Sequence, residues 1–230
     1  RVLFRSNAPS SCARLMSIVL AGLPSDVVLV YLDDLMIMGK TLEEHISNLR
    51  TVLQRLLKHG LKIKLEKCKF LLPRLDFLGH SIDAQGIRPM ANKMEAIASA
   101  PAPRNVQEVK SFLGLVSFYR EYIPHCSTIA EPLIRLQKKN VKFVWGDEQN
   151  RAFNDLKESL TRNLTLAYPK VEEPFLLFTD ASSVGTGACL AQLNSRGKIQ
   201  PIRFSSKALN PAERNYSTFD RELLAILPNI

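Results

Sequence analysis

The stretch that decides the reading is Tyr31–His45, "YLDDLMIMGKTLEEH". Two adjacent acids, Asp33 and Asp34, stand between the apolar runs "VVLVYL" and "LMIM". Two like charges inside a buried strand cost several kcal/mol unless something neutralises them. The simplest local solution is a strand, a sharp turn at the two Asp and a second strand, which leaves both carboxylates at a hairpin tip. A plain Asp-Asp turn would explain the four residues equally well; the flanking sequence has to decide.

Downstream, Thr41 and Glu44 have the spacing of a capping box. Leu42, Ile46, Leu49, Leu53 and Leu56 then recur at steps of four and three, and Gly60 ends the helix. "LKIKLEKCKF" alternates, with Leu61, Ile63 and Leu65 on one face and Lys62 and Lys64 on the other, the pattern of a half-buried strand with a basic outer face. "LDFLGHSIDAQGIRP" reads as two short strands with a turn at Gln85-Gly86. Upstream, "NAPSSCARLMSIVLAGL" has helical spacing from Pro9 to about Gly22.

The character changes at Pro89. Short helices are predicted near 90–99 and 105–118, followed by the proline-punctuated "IPHCSTIAEPLIRLQKK". "WGDEQNRAFNDLKESLTRN" reads as a helix capped by Asp147. "PFLLFTDASSVGTGACLAQL" is strand, glycine-containing turn, strand, with Ser182, Gly185 and Gly187 shaping the turn. "NSRGK" is a hairpin turn, "IQPIRFSSKAL" a third strand, and "STFDRELLAIL" a helix capped by Ser217. A boundary falls within about 136–146.

The chain has 230 residues, 46% hydrophobic and 23% charged, an ordinary globular composition with room for one large domain or two smaller ones. The longest apolar run is far short of the roughly 20 residues that span a bilayer, so no membrane partner is expected. Cys12, Cys68, Cys126 and Cys189 are widely separated and read as reduced thiols. The net charge of +9 is uneven. Residues 1–140 hold 20 Lys+Arg against 12 Asp+Glu, residues 141–230 hold 11 against 10. A basic first part suits a polyanion, most simply nucleic acid; a solvated basic surface is the bland alternative.

Taken in order, "NAP" (Asn7–Pro9) with "RLM", "YLDD", "EEH", "LKIKLEKCKF", "FLGH", "GIRP", "FLGLVSFYREYIP" and "LTLAYP…FTDAS" resemble the Pol polyprotein of Ty3/gypsy-type LTR retrotransposons, from about Asn7 to Ile226. Tyr31–Asp34 matches the YxDD box of reverse transcriptases. The resemblance implies an α+β and α/β chain. Residues 1–88 would be the C-terminal part of a polymerase palm, 89–140 thumb and connection helices, and 141–230 the N-terminal part of an RNase H-like domain. The implied function is that of an RNA-directed DNA polymerase with RNase H, acting by two-metal phosphoryl transfer.

The resemblance also assigns residues. Asp33 would be the direct metal ligand of the polymerase site, Asp34 its supporting partner, and Tyr31 a neighbour of the primer end. Asp180 in "FTDAS" and Glu222 in "DRELLAI" match the first catalytic Asp and the helix Glu of RNase H. Two Mg²⁺ (or Mn²⁺) ions about 3.5–4 Å apart would serve each site. "FLGH" (Phe77, Leu78, Gly79, His80) resembles the hairpin that grips the primer. Core packing would explain Phe77 and Leu78 as well, and a polar strand end would explain His80. Lys62, Lys64, Lys67 and Lys69 would track phosphates, or form a solvated basic face. The implied partners are an RNA template, a DNA primer, the RNA–DNA hybrid and deoxynucleotides. The implied location is the cytoplasmic virus-like particle of the parent element.

Two departures stand out. Where the family has "MPFGL" before "NAP", this chain has "RVLFRS", six residues that a common sequencing-adapter DNA would also encode. It is left open whether residues 1–6 are native. After "ELLAI" the chain reads "LPNI", and Pro228 would break a helix interior. Both ends read as truncations, so the expectation is a fragment inactive alone. The alternative is a non-catalytic nucleic-acid-binding or structural protein derived from a retroelement.

Overall fold

The computed structural model describes residues 8–32, 34–162 and 164–226. It divides into two compact units, Arg1–Phe70 and Leu71–Ile230.

In the first unit, α1 (Ala8–Val19) precedes a hairpin of β1 (Val28–Tyr31) and β2 (Asp34–Ile37), and α2 (Leu42–Lys58) follows. The α2 start forms as the sequence dictates. Thr41 Oγ1 accepts from Glu44 N at 3.2 Å, and the Glu44 carboxylate accepts from Lys40 N at 2.9 Å. The core is Val19, Leu20, Val28, Val52 and Leu56. The predicted apolar stripe of α2 is buried only in its second half. Leu49 and Leu53 are half-buried beside Val52 and Leu56, whereas Leu42 and Ile46 stay exposed. Arg55 Nη1 donates to Ala21 O at 2.7 Å, which meets an otherwise unpaired carbonyl beyond the end of α1.

"LKIKLEKCKF" is not a strand. Residues 61–64 are irregular and Leu65–Lys67 is a single 3₁₀ turn. Its alternation has no sheet to face: among the described residues no strand pairs with it, and Ile63 and Leu65 remain exposed.

The second unit opens with an antiparallel meander. β3 (Arg74–Phe77), β4 (His80–Asp83) and β5 (Gly86–Pro89) take the place of the two strands expected, because Leu78-Gly79 makes a turn of its own. Leu78 has φ 49° and Gly79 φ 82°. Four helices follow: α3 (Ala91–Ala98), α4 (Val106–Phe118), α5 (Cys126–Arg135) and α6 (Asp147–Thr161). They bury Phe112, Val116, Tyr119, Ile123, Leu133, Phe153, Leu156 and Leu160 in one core. Asp147 is the first residue of α6 rather than its cap. The chain turns in at Gly146, whose N–H donates to Gln149 Oε1 at 3.1 Å. Asp147 and Glu148 instead add negative charge to the first turn, where the helix dipole favours it.

A second antiparallel sheet, β6 (Leu176–Ala181), β7 (Gly185–Leu193) and β8 (Ile199–Ala208), carries α7 (Thr218–Ile226) packed against β6 and β7. The meander is tied to the segment before this sheet: Ile87 and Leu166 exchange both backbone hydrogen bonds, each 2.9 Å. Phe143 and Trp145 pack against the helical core, so residues 71–140 and 141–226 form one compact unit.

Candidate active site and nucleic-acid interface

The β1–β2 register pairs Val28 with Ile37 and Tyr31 with Asp34, with Leu32 in the turn after β1. The strand–turn–strand reading of "YLDD" therefore holds. Asp33 itself lies outside the described residues. Leu32 has φ 56°, a left-handed conformation that is uncommon for a bulky side chain and tends to occur where a site dictates the backbone. The burial penalty that the sequence raised does not arise for Asp34. It is exposed at the tip, beside an exposed Tyr31 and Leu32.

In the "FLGH" turn, Phe77 pairs with His80 across the β3–β4 hairpin. His80 is not simply a polar strand end. Its Nδ1 lies 2.9 Å from the Tyr122 hydroxyl, and its ring stacks on Phe118 and Tyr122. Burial holds its pKa below the ordinary imidazole value, against a smaller opposing pull from Glu121. The same burial pushes the Tyr122 phenol well above its ordinary value. Both groups are neutral near pH 7. Lys62, Lys64, Lys67 and Lys69 are all exposed, and Lys64 pairs loosely with Glu66 at 3.3 Å. They form a basic surface on an irregular segment.

The third cluster lies on the second sheet. Asp180, near the end of β6, is opposite Gly187 of β7, and its side chain is 66% exposed. Glu222 lies half-buried on α7, the helix packed against β6. That helix starts as predicted: Ser217 Oγ accepts from Asp220 N at 3.1 Å and donates to Asp220 Oδ2 at 2.6 Å. Ser182 and Gly185 shape the β6–β7 turn, with Ser182 Oγ accepting from Val184 N and Gly185 N. Gly187 does something else. A Cβ there would come within 2.6 Å of His125 Nδ1, so glycine makes room for that imidazole.

Sequence reasoning missed His125. It lies just before α5 with φ 51°, and its Nδ1 is 3.8 Å from Asp180 Oδ2. Fifty-five positions separate the two, and no local pattern in "IPHC" or "GTG" announces the approach.

Carboxylate oxygens are the donors that Mg²⁺ and Mn²⁺ prefer. Among the described residues no Lys or Arg pairs with Asp34, Asp180 or Glu222, so their charge is left for a cation to meet. Also among the described residues, no three His, Cys, Asp or Glu side chains converge on one point. The donor chemistry fits a divalent ion held jointly by protein carboxylates, water and substrate phosphate.

Comparison with known proteins gives two family matches. Residues 5–82 match the family "Reverse transcriptase (RNA-dependent DNA polymerase)", and residues 145–230 match "RNase H-like domain found in reverse transcriptase". The chain is 40% identical over 222 residues to the retrovirus-related Pol polyprotein from transposon 297 of Drosophila melanogaster. That alignment takes in 96% of this chain and 20% of the relative. A Schizosaccharomyces pombe relative, the transposon Tf2-3 polyprotein, is 32% identical over 98% of this chain and 17% of its own length. The chain thus spans about a fifth of the length of the curated relatives it matches. Among solved structures, the foamy viral protease-reverse transcriptase in complex with dsDNA superposes with a TM-score of 0.80 at 25% identity, over 97% of this chain and 46% of that one. The same protein in complex with RNA/DNA hybrid gives 0.78 at 25% identity, over 96% and 30%. In order along the chain, residues 5–82 are similar to a reverse transcriptase segment and residues 145–230 to an RNase H-like segment, and nearly the whole chain is similar to one part of retrotransposon Pol polyproteins.

Proposed function

We propose that this chain is the palm-to-RNase H stretch of an RNA-directed DNA polymerase. Residues 1–88 would belong to the palm, 89–140 to thumb and connection, and 141–230 to an RNase H-like domain. The observation that carries the reading is the separate placement of two exposed carboxylate sites. Asp34 sits at the tip of the β1–β2 hairpin, and Asp180 sits near the end of β6, the strand packed against the helix that bears Glu222.

In this reading Asp33 and Asp34 hold Mg²⁺ or Mn²⁺ where a primer 3′-hydroxyl meets the α-phosphate of a deoxynucleotide. Asp180 and Glu222 hold the same type of ion where water meets a phosphodiester of the RNA strand. When bound, the ions activate the attacking oxygen and steady the leaving one. The protein's own contribution is placement. The β1–β2 hairpin presents Asp34 at its tip, with Tyr31 opposite it to flank the primer end. The β6–α7 contact holds the second pair of acids on adjacent elements. The exposed lysines at 62, 64, 67 and 69 meet phosphates without reading sequence.

Support for nucleic acid as partner comes from the charge of residues 1–140 and from the foamy viral relatives, whose structures hold dsDNA and RNA/DNA hybrid. The test is fluorescence anisotropy of this chain with a labelled RNA–DNA hybrid across rising salt. Affinity should fall by at least tenfold between about 50 and 200 mM salt, since each phosphate contact releases counterions. Affinity that ignores salt would remove the basic surface from the account. Absence of binding at 50 mM would remove the nucleic-acid reading.

A further inference from the structure

The start of α5 is pinned to the second sheet at three points. Ser127 N donates to Ser206 Oγ of β8 at 3.0 Å. A Cβ on Gly185 would lie 2.9 Å from Thr128 Oγ1, and one on Gly187 would lie 2.6 Å from His125 Nδ1 and 3.0 Å from its Cε1. The two glycines of β7 thus make a seat for the first turn, with the His125 ring against Gly187. The His125 backbone is left-handed, φ 51° and ψ 30°, a conformation that histidine and asparagine tolerate better than most residues. So seated, Nδ1 stops 3.8 Å from Asp180 Oδ2. That is too long for a hydrogen bond. Among the described residues neither side chain has another hydrogen-bond or ion-pair partner. Both are open to water, His125 49% and Asp180 66% exposed.

We infer that His125 and Asp180 form a nitrogen–oxygen site for a borderline transition ion, with Zn²⁺ preferred. This goes beyond the reading above, in which carboxylates alone meet Mg²⁺ or Mn²⁺. An ion about 2.1 Å from an imidazole nitrogen and from a carboxylate oxygen separates the two by about 3.4 Å across a tetrahedral angle. The observed 3.8 Å closes to that with a small turn of either exposed side chain. Imidazole nitrogen suits Zn²⁺, whereas Mg²⁺ takes oxygen. The carboxylate serves either ion, so His125 is the group that selects. Two protein donors leave the remaining positions to water, which keeps the ion exchangeable. Seated there, it occupies the carboxylate that Mg²⁺ would use. The site needs neither catalysis nor nucleic acid to form, so it stands or falls separately from the RNase H reading.

The experiment titrates Zn²⁺ and Mg²⁺ separately into the 230-residue chain and follows imidazole signals and the backbone amides around Asp180 by NMR. The chain has four histidines, so each ring can be tracked. Zn²⁺ should shift the His125 ring ahead of His45, His59 and His80, and Mg²⁺ should leave that ring unshifted. His125→Asn keeps a residue suited to the left-handed backbone and should lower Zn²⁺ affinity at least about tenfold while Mg²⁺ affinity stays within about twofold. Gly187→Ala removes no donor but pushes the imidazole off its seat, and should lower Zn²⁺ affinity about fivefold. Asp180→Asn should weaken the binding of both ions. Each variant is checked by thermal melting; if His125→Asn melts early, Gly187→Ala decides. Unchanged Zn²⁺ affinity in the deciding variant, or Zn²⁺ shifts centred on the other histidines or on the cysteines, overturns the site while the RNase H reading stands. Zn²⁺ binding at His125 with no Mg²⁺ response around Asp180 supports the site and counts against the RNase H reading.

Discussion

In a chain extended to the length of its polyprotein relatives, Asp33→Asn is expected to lower primer extension at least a hundredfold and to leave cleavage of the RNA strand unchanged. Asp180→Asn is expected to do the reverse. Asn keeps the shape of Asp and removes the charge, so the fold survives while divalent-metal affinity drops. Metal ions supply several kcal/mol of charge stabilisation in such reactions, and about 1.4 kcal/mol is a factor of ten, so a hundredfold is a lower bound. The separation of effects is expected because each acid serves its own site. The β1–β2 hairpin belongs to the compact unit Arg1–Phe70 and Asp180 to Leu71–Ile230. Asp180 has a His neighbour at 3.8 Å, and this imidazole does not replace the lost carboxylate charge. Parallel assays of primer extension and hybrid cleavage on one set of preparations check the claim. Near-parental extension by Asp33→Asn would mean that the hairpin is not the polymerase site.

Gly86→Ala should be the most damaging single methyl in the second unit. Gly86 has φ 139°, a region open essentially to glycine alone, and an added Cβ would stand 2.1 Å from Leu166 O. The obstacle is backbone, and it is the same carbonyl that accepts from Ile87 N. The bridge between the meander and the segment before β6 must open for the methyl to fit. Strain plus the lost bridge should cost about 3 kcal/mol or more, which lowers the melting temperature by roughly 10 °C for a unit of this size. Gly197→Ala is the control. It has a positive φ of 69° but nothing within 4 Å of its added methyl, so about 1 kcal/mol is expected. Equal losses at the two positions, measured by calorimetry, would show that strain rather than the Leu166 contact sets the cost.

Much of this was legible in the sequence, for identifiable reasons. Helices with strong local signals formed where they were read: α2 behind Thr41 and α7 behind Ser217. The β6–β7–β8 sheet followed its turn residues, down to the "NSRGK" hairpin with Gly197 at positive φ. "LKIKLEKCKF" failed because alternation specifies a strand only when a neighbour supplies the ladder. The extra strand in "LDFLGHSIDAQGIRP" was hidden because Leu78 takes a conformation that its residue type does not advertise. At the candidate sites, Asp34, Asp180 and Glu222 could be placed on their elements from motif and order alone. His125 could not, since it reaches Asp180 only through the packing of α5 against β7 and β8 and through the missing Cβ of Gly187. The rings around Gly79 are likewise assembled from two elements about forty residues apart.

The proposed function requires two separate carboxylate sites for divalent ions, one on each compact unit. Paramagnetic broadening of backbone amide signals by dilute Mn²⁺ tests it most directly, because it registers even weak binding and needs no catalysis. Two patches of broadening are expected, one at the β1–β2 hairpin around Tyr31 and Asp34, the other around Asp180 and Glu222. Asp180→Asn should erase the second patch and spare the first. Broadening centred on an acid already held by arginine, such as Asp83 with Arg88 at 2.8 Å, or broadening spread evenly over the surface, would contradict the account.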